Sequence, residues 1–208
     1  MLTVTRLETQ KKNPQRLNVY LDGEFAFGIS RATAPWLSEG DQLSQEKVQN
    51  LKRSDHLESA YQRALNYLSY RDRSEQEIRQ NLIKKEIPEE IIQEVLDKLR
   101  QSTLVNDRAF ARNWIENRSQ FKPRGKKALS VELRQKGVAR EIIEEELEGL
   151  DEDQLALECA RKKAAKLQHL ELETFQKKMF SYLNRRGFPY QICREIVPEV
   201  WGEIQKAL

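Results

Sequence analysis

The residues of this chain that are best suited to chemistry are basic, and their chemistry is anion binding. The run FKPRGKK places four cations within seven residues: Lys122, Arg124, Lys126 and Lys127. Long cationic side chains bind phosphate, and the guanidinium fork of arginine holds a phosphate or a carboxylate through two parallel hydrogen bonds. The run is therefore predicted to contact anionic groups of a partner. The alternatives are a solvated basic loop or a partner for glutamate-rich helices of the same chain.

Further cations lie at two other kinds of position. Arg71 and Arg73 belong to a predicted connection, YRDRS. A second group recurs near the end of each predicted second helix of the repeat described below: Lys84, Lys85, Lys136, Arg185 and Arg186. Cations there also stabilise the negative end of a helix dipole, so a structural role competes with anion contact.

Catalytic motifs are absent from the sequence. It contains no GxxxxGK[ST] phosphate loop, no HExxH and no CxxC. The two histidines, His56 and His169, lack the convergent groups that metal binding or acid–base catalysis requires. Cys159 and Cys193 lie within helical patterns and are interpreted as reduced core or boundary residues. We therefore expect a protein that is not an enzyme and binds no metal.

The composition predicts a mainly helical protein. Of 208 residues, 38% are hydrophobic and 33% are charged, with only eight glycines and six prolines. This favours several small helical bundles over one large core. No apolar run reaches the length of a membrane span and the N-terminus does not resemble a signal peptide, so a cytoplasmic location and no membrane partner are expected.

Charge is segregated along the chain although the net charge is only +3. Residues 118–140 contain eight basic residues and one acidic residue, 141–158 contain nine acidic and no basic residues, and 161–186 contain eight basic and two acidic residues. Such segregation creates local fields that the net charge conceals. One or more anion-binding faces are predicted.

Residues 1–54 are predicted to form a small β-containing extension. Leu17, Val19 and Leu21 alternate with polar residues, Asp22-Gly23 follows, and Phe25, Phe27 and Ile29 alternate again. This pattern is typical of a hairpin closed by a tight turn. Residues 3–9 are candidates for a third strand, and a short helix is expected after Ser44.

The remaining residues contain an internal repeat, which decides the predicted architecture. Three segments align without gaps at offsets of 51 and 50 residues: LIKKEIPEEIIQEVLDKL (82–99), LRQKGVAREIIEEELEGL (133–150) and LNRRGFPYQICREIVPEV (183–200). Apolar residues coincide along the copies, and one mismatch pairs Val95 with Glu146.

Each aligned segment contains a helix break. Gly137 and Gly187 suit the left-handed conformation that ends a helix, whereas Glu86 takes their place in the first copy and should cap it less well. Pro88 and Pro189 follow, where a new helix can begin without a proline N–H. An amphipathic stretch precedes each pair of helices, at 57–70, 107–119 and 154–167, so each copy is predicted to be a three-helix unit.

The predicted fold is thus mainly α, with tandem three-helix repeats over 55–104, 105–150 and 151–208 in an elongated arrangement. Ser74 with Glu77, and Asp151 with Gln154, resemble capping boxes that begin two of the helices. Most aromatic residues lie on apolar helix faces and are assigned to cores, whereas three are expected to be freer: Tyr70, Phe121 and Tyr190.

Three runs of the sequence resemble the RecX family: AYQRALNYLSYRDRSEQEIRQNLIKKEIPEEIIQEVLDKL, LVNDRAFARNWIENRSQFKPRGKKALSVELRQKGV and YLNRRGFPYQICREIV. The motifs YRxRSExE, LVNDxxFAxxW and PRGxxxLxxELxxKG in this order are together specific. The N-terminal LNVYLDGEFAFGIS resembles the β extension of longer members. Departures are Val138, where isoleucine is usual, and Glu86 at the first break.

The resemblance implies three-helix units that lie in the groove of a RecA filament on DNA, limit filament growth, and suppress strand exchange and the RecA ATPase. It implies roles in DNA repair, recombination and the SOS response, with no cofactor on this chain. The expected partners are the RecA filament and single-stranded DNA, bound directly or through the filament, and a monomer is expected. We assign filament or DNA contact to ten residues: Arg71, Arg73, Lys122, Arg124, Lys126, Lys127, Arg134, Lys136, Arg185 and Arg186.

Two other functions remain open from the residues themselves. A sequence-independent nucleic-acid-binding module would use the same cations without RecA, and its affinity for DNA would fall steeply with salt. A helical scaffold for another protein would ignore DNA.

Overall fold

The N-terminal part of the chain is an antiparallel sheet of four strands. A computed structural model of the protein describes residues 1–207. The strands are β1 (Leu2–Gln10), β2 (Asn13–Leu21), β3 (Glu24–Ser30) and β4 (Gln42–Leu43), and their order across the sheet is β3-β2-β1-β4.

The predicted hairpin is formed by β2 and β3. Asp22 and Gly23 connect the strands with φ of 49° and 91°, the left-handed backbone of a type I′ turn, whose twist matches that of the adjoining strands. Val19 and Ile29 are fully buried on one face, whereas Phe25 is 60% exposed. The alternation in the sequence therefore gave the correct inner face for most of its residues.

A single long helix, α1 (Gln45–Leu68), follows the sheet, so the prediction of a separate short helix after Ser44 is wrong. Residues 46–56 contain no glycine or proline that would end a helix. Asp55, in the middle of α1, is also buried: it accepts hydrogen bonds from Arg16 Nη2 at 2.6 Å and from the Ser30 N–H at 2.7 Å. This contact ties α1 to β2 and β3.

The described residues contain eight further helices: α2 (Glu75–Ile83), α3 (Glu89–Gln101), α4 (Asp107–Phe121), α5 (Lys126–Gln135), α6 (Arg140–Glu148), α7 (Glu152–Ala164), α8 (Leu172–Arg185) and α9 (Tyr190–Ala207). In groups of three, α1 to α9 form the predicted tandem repeats. Both predicted N-caps are confirmed, because Ser74 Oγ accepts from the Glu77 N–H at 3.2 Å and Asp151 Oδ1 accepts from the Gln154 N–H at 2.9 Å. The mainly α fold with a small N-terminal sheet is therefore confirmed.

The turn between the second and third helices is the same in all three repeats. Glu86, Gly137 and Gly187 have φ of 58°, 80° and 86°. The N–H of the next residue donates to the carbonyl five positions back, in the pairs Ile87 to Leu82 at 3.3 Å, Val138 to Leu133 at 3.1 Å and Phe188 to Leu183 at 3.3 Å. This is the Schellman arrangement, in which the left-handed residue satisfies carbonyls at the helix end.

Two of these turns require glycine for space as well as for backbone conformation. A Cβ at Gly137 would lie 2.2 Å from the Cβ of Gln76, and a Cβ at Gly187 would lie 2.5 Å from the Cβ of Ala128. Gln76 and Ala128 belong to the second helix of the preceding repeat. No repeat precedes the first one, so the turn at Glu86 tolerates a side chain.

The chain forms two compact units, one of Met1–Arg71 with Ile78–Ser102 and one of Asp72–Glu77 with the residues from Thr103 onward. In the first unit, an apolar core joins the sheet to the start of α1 and includes Val4, Ile29 and Leu51. In the second unit, the second and third repeats have their own cores. Cys159 and Cys193 are free and buried in the core of the third repeat, as predicted.

One repeat position carries a carboxylate where the other copies are apolar. Val95 and Ile196 are buried, and the equivalent Glu146 has a side chain only 9% exposed. Arg112 Nε donates to Glu146 Oε2 at 3.1 Å, and Arg108 Nη1 lies 3.4 Å from Glu146 Oε1. Hydrogen bonding from Arg112 and the charges of both arginines lower the pKa of Glu146 against the opposing effect of desolvation. The negative charge of Glu146, the residue that departs from the apolar pattern of the repeat, is thus compensated by two arginines of α4.

Replacing Gly137 with alanine is expected to lower the free energy of unfolding by about 2–5 kcal/mol, from the left-handed backbone and the overlap with Gln76. Glu86→Gly should raise it by up to about 1 kcal/mol, because only backbone strain is relieved. Urea unfolding midpoints measure both effects. Gly149→Ala is the matched control, since no atom lies within 4 Å of the added Cβ. Equal midpoints for Gly137→Ala and Gly149→Ala would contradict the close approach.

Replacing Glu146 with valine, the residue of the first repeat, should change stability at pH 7 by less than about 1.5 kcal/mol. The lowered pKa means that ionised Glu146 stabilises the fold above its unfolded pKa, and that this contribution is lost as pH falls through the folded pKa. Glu146→Val lacks that loss, so its stability relative to wild type should improve on acidification. Thermal melts at pH 7 and pH 3.5 measure the difference, and an unchanged difference would refute the coupling.

Candidate cationic interaction surface

The segment Phe121–Lys127, which carries the strongest basic motif, joins α4 to α5 and docks against the third repeat. Pro123 and Gly125 are buried. The Gly125 N–H donates to the Arg186 carbonyl at 3.0 Å, and a Cβ on Gly125 would lie 2.3 Å from the Gly187 carbonyl oxygen. The segment is therefore a packed connection whose backbone belongs to the interface between two repeats.

The four cations of this segment divide into two pairs. Arg124 Nε lies 2.8 Å from Glu132 Oε1. Lys126 Nζ donates to the Glu148 carbonyl at 3.3 Å. Lys122 and Lys127, by contrast, are exposed. Arg124 and Lys126 thus have partners within the chain, one of which lies at the end of the glutamate-rich helix α6, while Lys122 and Lys127 are available to a partner molecule.

Glu132 connects α4 to α5 and was missed as a structural residue in the sequence. Its Oε2 accepts hydrogen bonds from Trp114 Nε1 and Arg118 Nε, both at 2.8 Å. The Arg118 guanidinium lies 4.5 Å from the centroid of the Trp114 ring, and Lys136 Nζ lies 5.2 Å from it. The signal was present, since Glu132 is the one acidic residue among the eight basic residues of 118–140.

Lys136 is engaged in the second unit rather than exposed. Its Nζ lies 2.7 Å from Glu77 Oε1, and its side chain is 27% exposed. Its carbonyl accepts a hydrogen bond from Ser74 Oγ. Arg134, two residues earlier, is exposed. It lies seven residues after Lys127 on α5, and this spacing puts the two cations on one helix face.

The remaining predicted residues differ in exposure and contacts. Arg186 Nη1 donates to the Pro123 carbonyl at 3.2 Å, and Arg185 Nη1 donates to Ser181 Oγ at 2.6 Å. Arg71 is exposed and Arg73 is half-buried. Within residues 1–207, three of the ten predicted residues have exposed side chains that form no hydrogen bond or ion pair: Lys122, Lys127 and Arg134.

The contact between repeats is built twice in the same way. The Glu75 N–H, at the start of α2, donates to Asp107 Oδ1 at 2.8 Å. The Lys126 N–H, at the start of α5, donates to Glu152 Oε1 at 2.7 Å. In each case the acceptor is the first residue of the first helix of the next repeat. Its carboxylate accepts a hydrogen bond from an N–H at the start of the preceding repeat's second helix, which has no partner within that helix. The carboxylate also lies at the positive end of its own helix dipole.

Burial of Asp107 raises the pKa of its carboxyl group. Desolvation is the main cause, the nearby charges of Glu75 and Glu77 add to it, and the hydrogen bond from the Glu75 N–H opposes it. The hydrogen bond from the Glu75 N–H therefore positions the Asp107 carboxyl group, while burial disfavours its ionisation.

No group of three or more histidine, cysteine, aspartate or glutamate side chains within residues 1–207 is arranged to hold a metal ion. No described helix is both long and apolar enough to cross a membrane. A four-stranded sheet followed by three three-helix repeats defines a helical-repeat protein with an N-terminal β extension.

Comparison with known families agrees with this architecture along the chain. Models of the RecX N-terminal domain and of the first, second and third RecX three-helix domains match residues 2–44, 60–99, 106–147 and 151–197. The chain belongs to the RecX family of regulatory proteins. The domain boundaries drawn from the sequence at 54, 104 and 150 stay predictions.

Individual relatives match over most of their length. The regulatory protein RecX of Bacillus velezensis is 32% identical, covering 91% of this chain and 74% of the relative, and that of Clostridium botulinum strain Alaska E43 is 31% identical, covering 96% of both. A crystal structure of a regulatory protein RecX superposes with a TM-score of 0.73 at 27% identity over 96% of this chain and 100% of that one. RecX from Lactobacillus salivarius gives 0.63 at 29% identity over 71% and 97%.

Replacing Asp107 with asparagine should keep the oxygen that accepts from the Glu75 N–H and remove the ionisable group. The folded pKa of Asp107 is raised above its unfolded value, so its ionisation opposes folding, and wild-type stability falls as pH rises through this window. Asp107→Asn should therefore gain stability relative to wild type between pH 4 and pH 7. Urea unfolding at both values measures the change. Asp107→Ala is the control that loses the acceptor, and a gain by this variant equal to that of asparagine would contradict a role for the hydrogen bond.

Proposed function

We propose that this protein binds the RecA–DNA filament in its groove and inhibits or modulates the recombinase and ATPase activities of RecA, without catalysing a reaction itself. The observation that carries the proposal is the match to all four RecX domain models along the chain. The nucleotide chemistry stays with RecA. The protein would act in the cytoplasm as a monomer.

The charges of the second repeat supply a physical basis for this binding. Lys127 and Arg134 lie on one face of α5, and Lys122 is exposed just before that helix. The next helix, α6, carries exposed carboxylates at Glu141, Glu144, Glu145 and Glu148. A surface with adjacent positive and negative faces is complementary to a filament that presents both DNA phosphates and basic protein groups.

The alternatives differ in what they bind. A sequence-independent nucleic-acid-binding module would use Lys122, Lys127 and Arg134 on DNA alone. A protein scaffold would need neither DNA nor RecA. Arg124, Lys126, Lys136 and Arg186 carry less weight for filament or DNA binding, because their side chains already contact groups of the same chain. Lys136 and Arg186 contact neighbouring repeats, whereas Arg124 and Lys126 contact Glu132 and the Glu148 carbonyl within the second repeat.

The decisive experiment measures ATP hydrolysis by RecA of the same organism on single-stranded DNA during titration with this protein. Substoichiometric loss of hydrolysis is expected. Lys122→Glu with Lys127→Glu should raise the concentration that gives half of this loss by roughly tenfold, and should lower the salt dependence of binding by about one unit of slope per lost phosphate contact. The matched control is Lys11→Glu with Lys12→Glu, two exposed lysines between β1 and β2 that undergo the same charge change.

Each alternative gives a distinct result in this assay. Unchanged hydrolysis, with the RecA filaments intact, would refute filament regulation. Binding to DNA without any effect on RecA would favour the nucleic-acid-binding module. Equal inhibition by the two double variants would place the interface away from Lys122 and Lys127.

A further inference from the structure

The backbone between α4 and α5 is held by the third repeat. Pro123 and Gly125 are buried in this segment. The Gly125 N–H donates to the Arg186 carbonyl at 3.0 Å, and the Pro123 carbonyl accepts from Arg186 Nη1 at 3.2 Å. The Lys126 N–H donates to Glu152 Oε1 at 2.7 Å. The segment is therefore fixed at three positions by partners that belong to α7 or to the end of α8.

Arg186 supplies two of these contacts, one from its side chain and one from its backbone. The carbonyl of the buried Pro123 needs a donor, and a charged donor forms a stronger hydrogen bond than a neutral one. The Arg186 guanidinium also lies 5.1 Å from the centroid of the Tyr182 ring, and this contact holds it beside α8. The half-buried side chain of Arg186 is thus directed at the segment.

The equivalent residue of the second repeat makes a different contact. A shift of 50 residues aligns Arg186 with Lys136. Lys136 Nζ lies 2.7 Å from Glu77 Oε1, so its side chain reaches the second helix of the preceding repeat. The side chain of Arg186 instead reaches the connection that comes before that helix. The third repeat therefore controls the connection on which the strongest basic motif lies.

Lys122 and Lys127 flank the fixed residues. Both are exposed, and within residues 1–207 neither forms a hydrogen bond or an ion pair. Lys122 directly precedes Pro123 and Lys127 directly follows Lys126, so the fixed backbone between them determines where each side chain begins. A side chain on a fixed backbone loses less freedom when it binds than one on a mobile loop, and binding is tighter for that reason.

We propose that Arg186 is a positioning residue for the binding of an anionic partner by Lys122 and Lys127. Arg186 holds Pro123 and Gly125 in place and does not itself touch the partner. This inference rests on the proposed function, because it takes the RecA–DNA filament as the partner whose phosphates the two lysines meet. It replaces the direct contact to filament or DNA that the sequence predicted for Arg186.

The test is a double-mutant cycle on binding of the labelled full chain to RecA filaments assembled on single-stranded DNA. Arg186→Gln removes the charge and shortens the side chain, and it should weaken binding by roughly threefold to tenfold. In a chain that already carries Lys122→Ala and Lys127→Ala, the same substitution should weaken binding by less than about twofold, because the residues through which it acts are gone. An equal loss in both backgrounds would overturn the proposal, since it would mean direct contact or general destabilisation.

The dependence of binding on salt separates direct contact from positioning in the same cycle. A phosphate contact made by Arg186 itself would lower the slope by about one unit in either background. Positioning leaves the slope of the chain with Lys122→Ala and Lys127→Ala unchanged when Arg186→Gln is added. A lower slope in that background would therefore overturn the proposal.

A second variant displaces the segment without changing any charge. Gly125→Ala puts a Cβ 2.3 Å from the Gly187 carbonyl oxygen, and it should weaken filament binding by roughly threefold or more. The matched control is Gly149→Ala, which adds the same group where no atom lies within 4 Å and should bind like wild type. Circular dichroism melts would establish that both variants are folded at the assay temperature. Wild-type affinity of Gly125→Ala would contradict the proposal.

Amide hydrogen exchange measures the positioning itself without RecA. Arg186→Gln should speed exchange at the Gly125 and Lys126 amides and leave the Glu75 amide unchanged, because Glu75 donates to Asp107 at the other contact between repeats. Unchanged exchange at Gly125 and Lys126 would refute the role of Arg186. If the wild-type chain does not bind RecA filaments at all, the proposed function fails, and the exchange rates still decide whether Arg186 holds the segment.

Discussion

A left-handed residue between the second and third helices is the constraint on which the helical part of this protein depends. It ends one helix and sets the direction of the next. In the second and third repeats it also leaves the carbonyl of the preceding residue, Lys136 or Arg186, open to a donor from the repeat before. Glycine at 137 and 187 allows that close approach, whereas Glu86 stands where no repeat precedes. One local conformation therefore shapes each repeat and joins the repeats of the second unit.

The repeats share a backbone but differ in the charges they bury. Glu146 occupies a position that is apolar in the other copies, and arginines of α4 compensate it. Glu132 forms ion pairs with Arg118 and Arg124 in the second repeat, whereas the corresponding residue of the first repeat is the uncharged Asn81. Because the helices are specified by the apolar positions, polar positions can vary without changing the fold. Repetition of the fold thus allows each repeat to present a different surface.

The cations of the chain serve two purposes that compete for the same residue type. Arg124, Lys136 and Arg186 contact carboxylates or carbonyls inside the second unit, where they hold helices and repeats together. Lys122, Lys127 and Arg134 extend into solvent. Exposed cations contribute little to stability but raise the rate and strength of association with anionic partners. The regulatory role of the RecX family agrees with a helical scaffold in which some cations form contacts within the chain and others are exposed to solvent.

The sequence by itself determined the hairpin, the three repeats, the helix breaks, the N-caps at Ser74 and Asp151, and the family, because each depends on local periodicity, turn chemistry or motif order. Only the tertiary structure decided that Asp55 is buried within α1, since its partner Arg16 lies 39 residues away along the chain. It also decided which cations are engaged: Lys136 meets Glu77 across 59 residues. A local pattern marks a side chain as charged, but its partner is chosen by the fold, because a Coulomb interaction depends on distance in space and not on distance along the chain.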